Sequence, residues 1–256
     1  MINKTNNNWI GLIPAAGKGL RLGLPYPKEL YPIIRDNRYK PVSQFILENM
    51  TEAGVNHLVF VINETKHQLL GYFENGKKFG CHISYVVQES RREQNINSTS
   101  PGLAHALDSA YHLISGKTVF FGMADTIIQP KNVFTLGLSA AKIDDDVILC
   151  LFPTNHPEKF GMVKYDSNNR VTQIIDKPLE TNLSEMWGCI IWKPNFTEFL
   201  HSSINIDQIY DFATIMNNAI NMGLIFRAVS IQNGNYLDLG TYEEIIQIDK
   251  NFREGP

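Results

Sequence analysis

The sequence has few cysteines, no long apolar run and no excess of positive charge. Its three cysteines, Cys81, Cys150 and Cys189, stand in scattered apolar contexts without C-x-x-C spacing, which argues against a disulfide framework or a zinc site. No apolar run approaches the roughly 20 residues that a membrane-spanning helix needs. A formal net charge of −3 gives no general attraction to nucleic acid or acidic lipid. These absences predict a cytoplasmic protein with no nucleic-acid partner and no membrane association.

The length and composition are typical of a single globular domain. The chain has 256 residues, of which 43% are hydrophobic and 19% are charged, so it can bury a sizeable core. We therefore predict one domain over residues 1–256. Because the overall charge is slightly negative, any phosphate binding must come from lysines and arginines placed locally.

Residues 9–32, WIGLIPAAGKGLRLGLPYPKELYP, contain the most informative stretch. A short apolar run ends at Pro14, as a buried strand would. Gly17 and Gly19 follow in a loop that can turn tightly and leave its backbone N–H groups uncovered, which suits a polyphosphate. The cations available to this loop are Lys18, Arg21 and Lys28.

A dinucleotide-binding turn is the obvious alternative for this loop. That fingerprint requires a third glycine three residues after the second, and Leu22 stands there. It also requires an acidic residue at the end of the second strand, where Asn63 stands. A nicotinamide-dependent oxidoreductase is therefore the least favoured interpretation.

Strand and helix patterns alternate along the first half of the chain. This alternation predicts an α/β fold with a mixed, mostly parallel sheet flanked by helices. Gln88 is expected at the end of a strand, and the polar residues 89–100 are expected to form a loop. The predicted helices are residues 42–53, 66–73, 101–114 and 207–222, with two more that start near Lys131 and after a capping box at Thr241. The predicted strands are residues 9–13, 58–62, 83–87, 118–125, 147–152, 161–165, 171–175, 186–193 and 225–231, with 161–165 and 171–175 paired as a hairpin.

Carboxylates occur at two informative places. Asp125 follows an uninterrupted apolar strand, so it is expected in the crevice at the carboxyl end of the sheet, where it could bind a hard metal ion or cap a following helix. Asp238 is flanked by apolar residues. The acidic run at residues 144–146 is interpreted as a solvated turn.

Five motifs in order resemble the nucleotidyltransferase family that makes nucleotide sugars. The first is the glycine loop with Arg21, Leu22 and the pair Pro27-Lys28, and the second is Gln88 followed by GLAHA at residues 102–106. The third is GMADTII around Asp125. The fourth combines FGMV at 160–163, DSNNRV at 166–171 and DKP at 176–178, and the fifth is YLDLGT at 236–241.

The resemblance implies the nucleotide-diphospho-sugar transferase fold, a Rossmann-like sheet with a small antiparallel sugar-binding lobe. It places nucleotide binding in residues 9–152 and acceptor binding in residues 153–240. It implies nucleotide contacts at Ala15, Ala16, Gly17, Lys18, Gly19, Gln88 and Gly102, catalytic roles for Arg21, Lys28 and Lys177, acceptor contacts at Gly161, Asp176, Lys177 and Gly188, and Mg²⁺ held by Asp125 and Asp238.

The implied reaction joins an NTP to a sugar 1-phosphate and releases pyrophosphate. The resemblance favours UTP or dTTP as the nucleotide and is compatible with CTP. It is also compatible with a homo-oligomer. A cytidylyltransferase with a non-sugar phosphate acceptor shares the glycine loop, and a non-catalytic nucleotide-binding regulator is a further alternative. The motifs at 176–178 and 237–241 favour the sugar acceptor.

Overall fold

Strands and helices alternate along the first half of the chain and antiparallel pairs follow. The computed structural model describes residues 8–19, 22–35, 38–89, 102–241 and 243–246. The strands are β1 (Trp9–Pro14), β2 (Pro32–Arg35), β3 (Arg38–Pro41), β4 (His57–Ile62), β5 (His82–Val87), β6 (Thr118–Gly122), β7 (Thr126–Gln129), β8 (Val147–Pro153), β9 (Gly161–Tyr165), β10 (Val171–Asp176), β11 (Glu185–Trp192), β12 (Phe226–Ser230) and β13 (Asn235–Asp238). The helices are α1 (Val42–Glu52), α2 (His67–Phe73), α3 (Leu103–Asp108), α4 (Tyr111–Ile114), α5 (Val133–Ala140), α6 (Pro194–Asn205) and α7 (Phe212–Asn221).

Nine strands form one mixed sheet. Their order is β10-β9-β11-β6-β1-β4-β5, with β8 beside β11 and β12 beside β8. Strand β1 pairs in parallel with β4 and β6, and β4 pairs in parallel with β5. Strand β11 runs antiparallel to β6 and β8. The predicted fold class is confirmed. One margin of the sheet, called here the carboxyl edge, contains the carboxyl ends of the parallel strands β1, β4, β5 and β6.

Both faces of the sheet are covered, which is why the central parallel strands β1 and β4 are largely apolar. Along β4, Val59 and Val61 face the layer that contains α3, α6 and α7. Leu58, Phe60 and Ile62 face the layer that contains α1, α2 and α5. Among the described residues, no helix is long and apolar enough to cross a membrane.

The predicted antiparallel hairpin is present, and it joins the main sheet. Strands β9 and β10 pair with each other, and Met162 of β9 pairs with Met186 of β11. Two further antiparallel ribbons, β2 with β3 and β7 with β13, were not predicted from the sequence. Helix α6 was not predicted either.

The prediction of one continuous helix over residues 101–114 is wrong. The structure has α3 and α4, separated by Ser109 and Ala110. The Ser109 hydroxyl donates to the His105 carbonyl at 2.8 Å, one of the local hydrogen bonds by which serine competes with helix continuation.

The helix predicted at residues 207–222 starts later, at Phe212. Asp211 caps it, because one carboxylate oxygen accepts from the Thr214 backbone N–H at 2.7 Å. The strand predicted to run into Asp125 ends at Gly122, so Asp125 lies in the turn between β6 and β7.

The interpretation of residues 144–146 as a solvated turn is wrong for Asp145. Its side chain is fully buried and pairs with the guanidinium of Arg227 on β12. Asp145 also accepts from the Lys142 backbone N–H at 2.6 Å. A buried charge needs such partners, and the middle carboxylate of the acidic run therefore ties this turn to the edge of the sheet.

Candidate active site

The glycine loop leaves β1 at the carboxyl edge and is held at its start. The Ala15 N–H donates to the Val61 carbonyl at 2.7 Å, and the Ala16 carbonyl accepts from the Asn63 side-chain amide at 2.7 Å. Gly19 has a φ of +63°, a conformation that favours glycine. A β-carbon at Gly17 would meet nothing within 4 Å, so the loop backbone is open there. The structure brings Ala15, Ala16, Gly17, Lys18 and Gly19 to this edge, while Arg21 lies outside the described residues.

Lys28 reaches from a short 3-10 turn, Lys28–Leu30, to the carboxylate of Asp125. The two side chains are only 15% and 10% exposed. Burial alone would lower the pKa of Lys28, but the neighbouring Asp125 carboxylate, helped by Glu29 and Asp238, outweighs burial and raises it. Lys28 is therefore held as a cation between the glycine loop and Asp125.

The ribbon of β7 and β13 brings the two predicted metal ligands together. Asp238 pairs with Thr126, the neighbour of Asp125, and the Leu239 N–H donates to the Asp125 carbonyl at 2.9 Å. These residues are more than a hundred positions apart in the chain. The second carboxylate oxygen of Asp125 is buried and makes no hydrogen bond within the described ranges.

Gln88 lies just beyond β5 at the same edge. Its backbone N–H donates to the Ile62 carbonyl at 2.8 Å, and its side chain is buried. The side-chain amide nitrogen finds no hydrogen-bond partner in the part of the chain that is described. Gly102 precedes α3, and a β-carbon there would lie 3.8 Å from the Tyr210 carbonyl. An amide whose nitrogen has no partner in the described ranges suits recognition of a planar polar group.

The predicted acceptor residues lie at the start of the β9–β10 hairpin. Gly161 and Asp176 are cross-strand partners, and the Lys177 N–H donates to the Phe160 carbonyl at 3.0 Å. The Lys177 ammonium is 3.9 Å from the Asp176 carboxylate and its side chain is 62% exposed, so it remains available to an anion. Lys177 has a φ of +44°, in the left-handed region that a residue with a β-carbon rarely adopts.

Gly188 has a packing reason to be glycine. A β-carbon there would lie 2.6 Å from the Phe152 ring and 2.8 Å from the Tyr236 ring. The space that the missing side chain leaves is thus filled by aromatic rings. An acceptor contact at the Gly188 backbone stays a prediction.

Sequence reasoning missed a buried ion pair beneath the glycine loop. The Lys66 ammonium is 2.6 Å from both carboxylate oxygens of Glu29, and the two residues are 3% and 2% exposed. Burial raises the pKa of Glu29, although the Lys66 charge acts to lower it. Lys66 of this pair lines a cavity of about 300 Å³, together with Lys18, Gly19 and Lys28. The only signal in the sequence was that Glu29 directly follows Lys28.

A glycine loop at a strand end, a lysine beneath it and two converging carboxylates define an α/β protein equipped to handle nucleotide phosphates. The sequence pattern of the nucleotidyl transferase family matches residues 10–255, and the chain belongs to this family.

Two curated relatives and one solved structure illustrate the likeness. The low-salt glycan biosynthesis nucleotidyltransferase Agl11 of Haloferax volcanii is 27% identical over 72% of this chain and 49% of that protein. UTP–glucose-1-phosphate uridylyltransferase of Synechocystis is 24% identical over 90% of this chain and 59% of that protein. The chain thus spans about half to three-fifths of the length of these relatives.

A UDP-glucose pyrophosphorylase solved with UDP-glucose superimposes with a TM-score of 0.78 at 23% identity. The superposition covers 96% of this chain and 99% of the other. At this identity the likeness establishes a shared fold.

Proposed function

We propose that this protein transfers a nucleotidyl group from an NTP to a sugar 1-phosphate, giving an NDP-sugar and pyrophosphate. The observation that carries the proposal is the meeting of Lys28, Asp125 and Asp238 below the glycine loop. Family membership supports the same reaction class. The name of one relative supports UTP as the nucleotide more than CTP, since it is a uridylyltransferase of glucose 1-phosphate.

The chemistry requires alignment and charge stabilisation more than a protein nucleophile. An oxygen of the acceptor phosphate attacks the α-phosphorus in line, and pyrophosphate leaves on the opposite side. The open backbone N–H groups of the glycine loop bind the departing phosphates, and Lys28 stabilises the charge at the reacting centre. Lys177, exposed beside Asp176, neutralises the acceptor phosphate. Gln88 uses its free amide donors on the base.

The carboxylates fit a magnesium ion. Asp125 offers a buried oxygen without a hydrogen bond in the described structure, and Asp238 lies on the adjoining segment. Within the described residues no group of three or more His, Cys, Asp or Glu side chains could hold a metal, so substrate phosphates would have to complete the shell, as is common for Mg²⁺. When bound, Mg²⁺ would neutralise phosphate charge.

The test is pyrophosphate release with UTP, dTTP, CTP, ATP and GTP, each against a panel of sugar 1-phosphates and phosphocholine. We expect release with one nucleotide and at least one sugar 1-phosphate. Release with phosphocholine alone would favour the cytidylyltransferase alternative. An NTP that raises the melting temperature without any release would indicate a binding protein.

The metal proposal has a separate test. Activity should be lost on addition of EDTA and return on addition of excess Mg²⁺. The melting temperature measured with and without EDTA controls for unfolding. Full activity in EDTA would contradict a role for a divalent ion at Asp125 and Asp238.

A further inference from the structure

Trp187 is placed by an irregularity in β11. Trp187 pairs with Leu151 and Cys189 pairs with Cys150, so Gly188 is an extra residue and forms a β-bulge. The bulge changes the alternation of the strand: Trp187 packs with the α7 layer, whereas Cys189 packs with the opposite layer. Bulges near active sites commonly redirect one side chain in this way.

The redirected indole packs against Gly161. Its Nε1 lies 2.3 Å from the point where a β-carbon of Gly161 would stand, so a larger residue at Gly161 would collide with it. Gly161 is the cross-strand partner of Asp176, and Lys177 follows. The N–H edge of the indole is therefore found where the predicted acceptor residues converge. The rest of the ring is held by Phe121 and Phe212, with ring centroids 6.1 and 6.0 Å away.

The indole N–H of Trp187 is an unusual donor among the described residues. The atom is buried and makes no hydrogen bond to any described residue. Buried indole donors are normally satisfied. Trp192 on the same strand shows the usual arrangement, because its Nε1 donates to the Thr197 hydroxyl at 2.9 Å. An unused donor held between rigid rings beside the predicted acceptor residues indicates a partner outside the described residues, and a bound acceptor would be such a partner.

We propose that Trp187 is a specificity residue for the acceptor, and that its indole N–H donates a hydrogen bond to a hydroxyl oxygen of the sugar. This inference rests on the proposed function. A neutral donor flanked by aromatic rings suits the polyhydroxylated part of the acceptor, while the exposed ammonium of Lys177 suits its phosphate. The need for glycine at 161 then follows from the indole that it accommodates.

The experiment compares wild-type protein with Trp187→Phe, which keeps an aromatic ring and removes the N–H. Trp192→Phe is the matched control, since it removes an indole N–H from the same strand that is already paired within the protein. Kinetics of pyrophosphate release are measured with the preferred sugar 1-phosphate and with its single-deoxy analogues. Melting temperatures of all three proteins establish that they are folded.

We expect Trp187→Phe to raise KM for the sugar 1-phosphate about tenfold, since one hydrogen bond is lost, with KM for the NTP unchanged. One deoxy analogue should be a poor substrate for the wild type and lose that disadvantage in Trp187→Phe, because its missing hydroxyl is the proposed partner. Trp192→Phe should discriminate as the wild type does.

The outcomes separate the two proposals. If the wild type is active and Trp187→Phe discriminates among the analogues as the wild type does, the role of Trp187 is overturned and the proposed function stands. If the wild type neither releases pyrophosphate with any sugar 1-phosphate nor binds one by calorimetry in the presence of NTP, both are overturned. The inference is supported if Trp187→Phe has the melting temperature of the wild type and a KM for the sugar 1-phosphate that is about tenfold higher.

Discussion

Lys28 and Asp125 form an ion pair below the glycine loop, at the centre of the candidate active site. We expect Asp125→Asn to reduce turnover by about 10² to 10³, the usual cost of removing one charge-stabilising group from an active site. Pyrophosphate release measures the loss. Asp144→Asn serves as the control, since Asp144 is a half-exposed carboxylate paired with Arg170. Equal losses in both variants would contradict a specific role for Asp125.

Lys177 combines an exposed charge with a left-handed backbone. A residue with a β-carbon in this region costs on the order of 1 kcal/mol relative to glycine. Lys177→Gly and Lys177→Ala both remove the ammonium, but only the first relieves the backbone. We expect both to lose activity with the acceptor, and Lys177→Gly to melt at a higher temperature than Lys177→Ala. Equal melting temperatures would show that the backbone at 177 is not strained.

At the scale of elements, the buried pair of Glu29 and Lys66 joins the turn that carries Lys28 to the segment before α2. Lys66→Met leaves the Glu29 carboxylate buried without its cation, and we expect a loss of about 3–5 kcal/mol in the free energy of unfolding. Urea denaturation measures it. Lys131→Met is the control, because the exposed pair of Lys131 and Glu52 should contribute less than about 1 kcal/mol.

The pH dependence of Lys66→Met tests the cause of that loss. Burial already raises the pKa of Glu29, and removal of the Lys66 charge should raise it further. A group with a raised pKa in the folded state favours folding below its unfolded pKa, about 4.3 for Glu, and this contribution is lost as pH rises through the folded pKa. The deficit of the variant should therefore shrink toward low pH. A deficit independent of pH would indicate lost packing instead.

The ribbon of β7 and β13 shows why some elements could not be predicted. Each strand has four residues, too few for a clear alternating pattern, and their pairing joins Thr126 to Asp238. Strands β1 and β4 were predicted correctly because each is an apolar run buried on both sides. Between α3 and α4 the Ser109 hydroxyl donates to the His105 carbonyl, a contact that the apolar pattern does not reveal.

At the scale of the whole molecule, the three cysteines report on global unfolding. All are free and buried, with Cys150 and Cys189 opposite each other on β8 and β11. Burial raises the pKa of Cys189 well above its usual range and that of Cys81 to about 11, so about one Cys81 thiol in a thousand is ionised at pH 8. We expect a thiol reagent such as DTNB to label the native protein very slowly and all three thiols in denaturant. Fast labelling of a native thiol would show that the sheet opens locally.

The topology of the whole sheet brings the residues of the candidate site together. Parallel strands place their carboxyl ends at one edge, so the glycine loop, Gln88 and the turn with Asp125 converge although 110 positions separate Ala15 from Asp125. The sequence patterns predicted these residues as candidates because strand ends and glycine turns are local features.

The sequence by itself determined the α/β class, the parallel strands and the antiparallel hairpin, since apolar periodicity and turn residues act over a few neighbouring positions. Only the tertiary structure decided that Glu29 is paired with Lys66, that Asp145 is buried against Arg227, and that a bulge turns Trp187 toward Gly161. Each of these depends on contacts between residues distant in the chain. A buried charge or a redirected ring is therefore a consequence of packing, which local patterns do not specify.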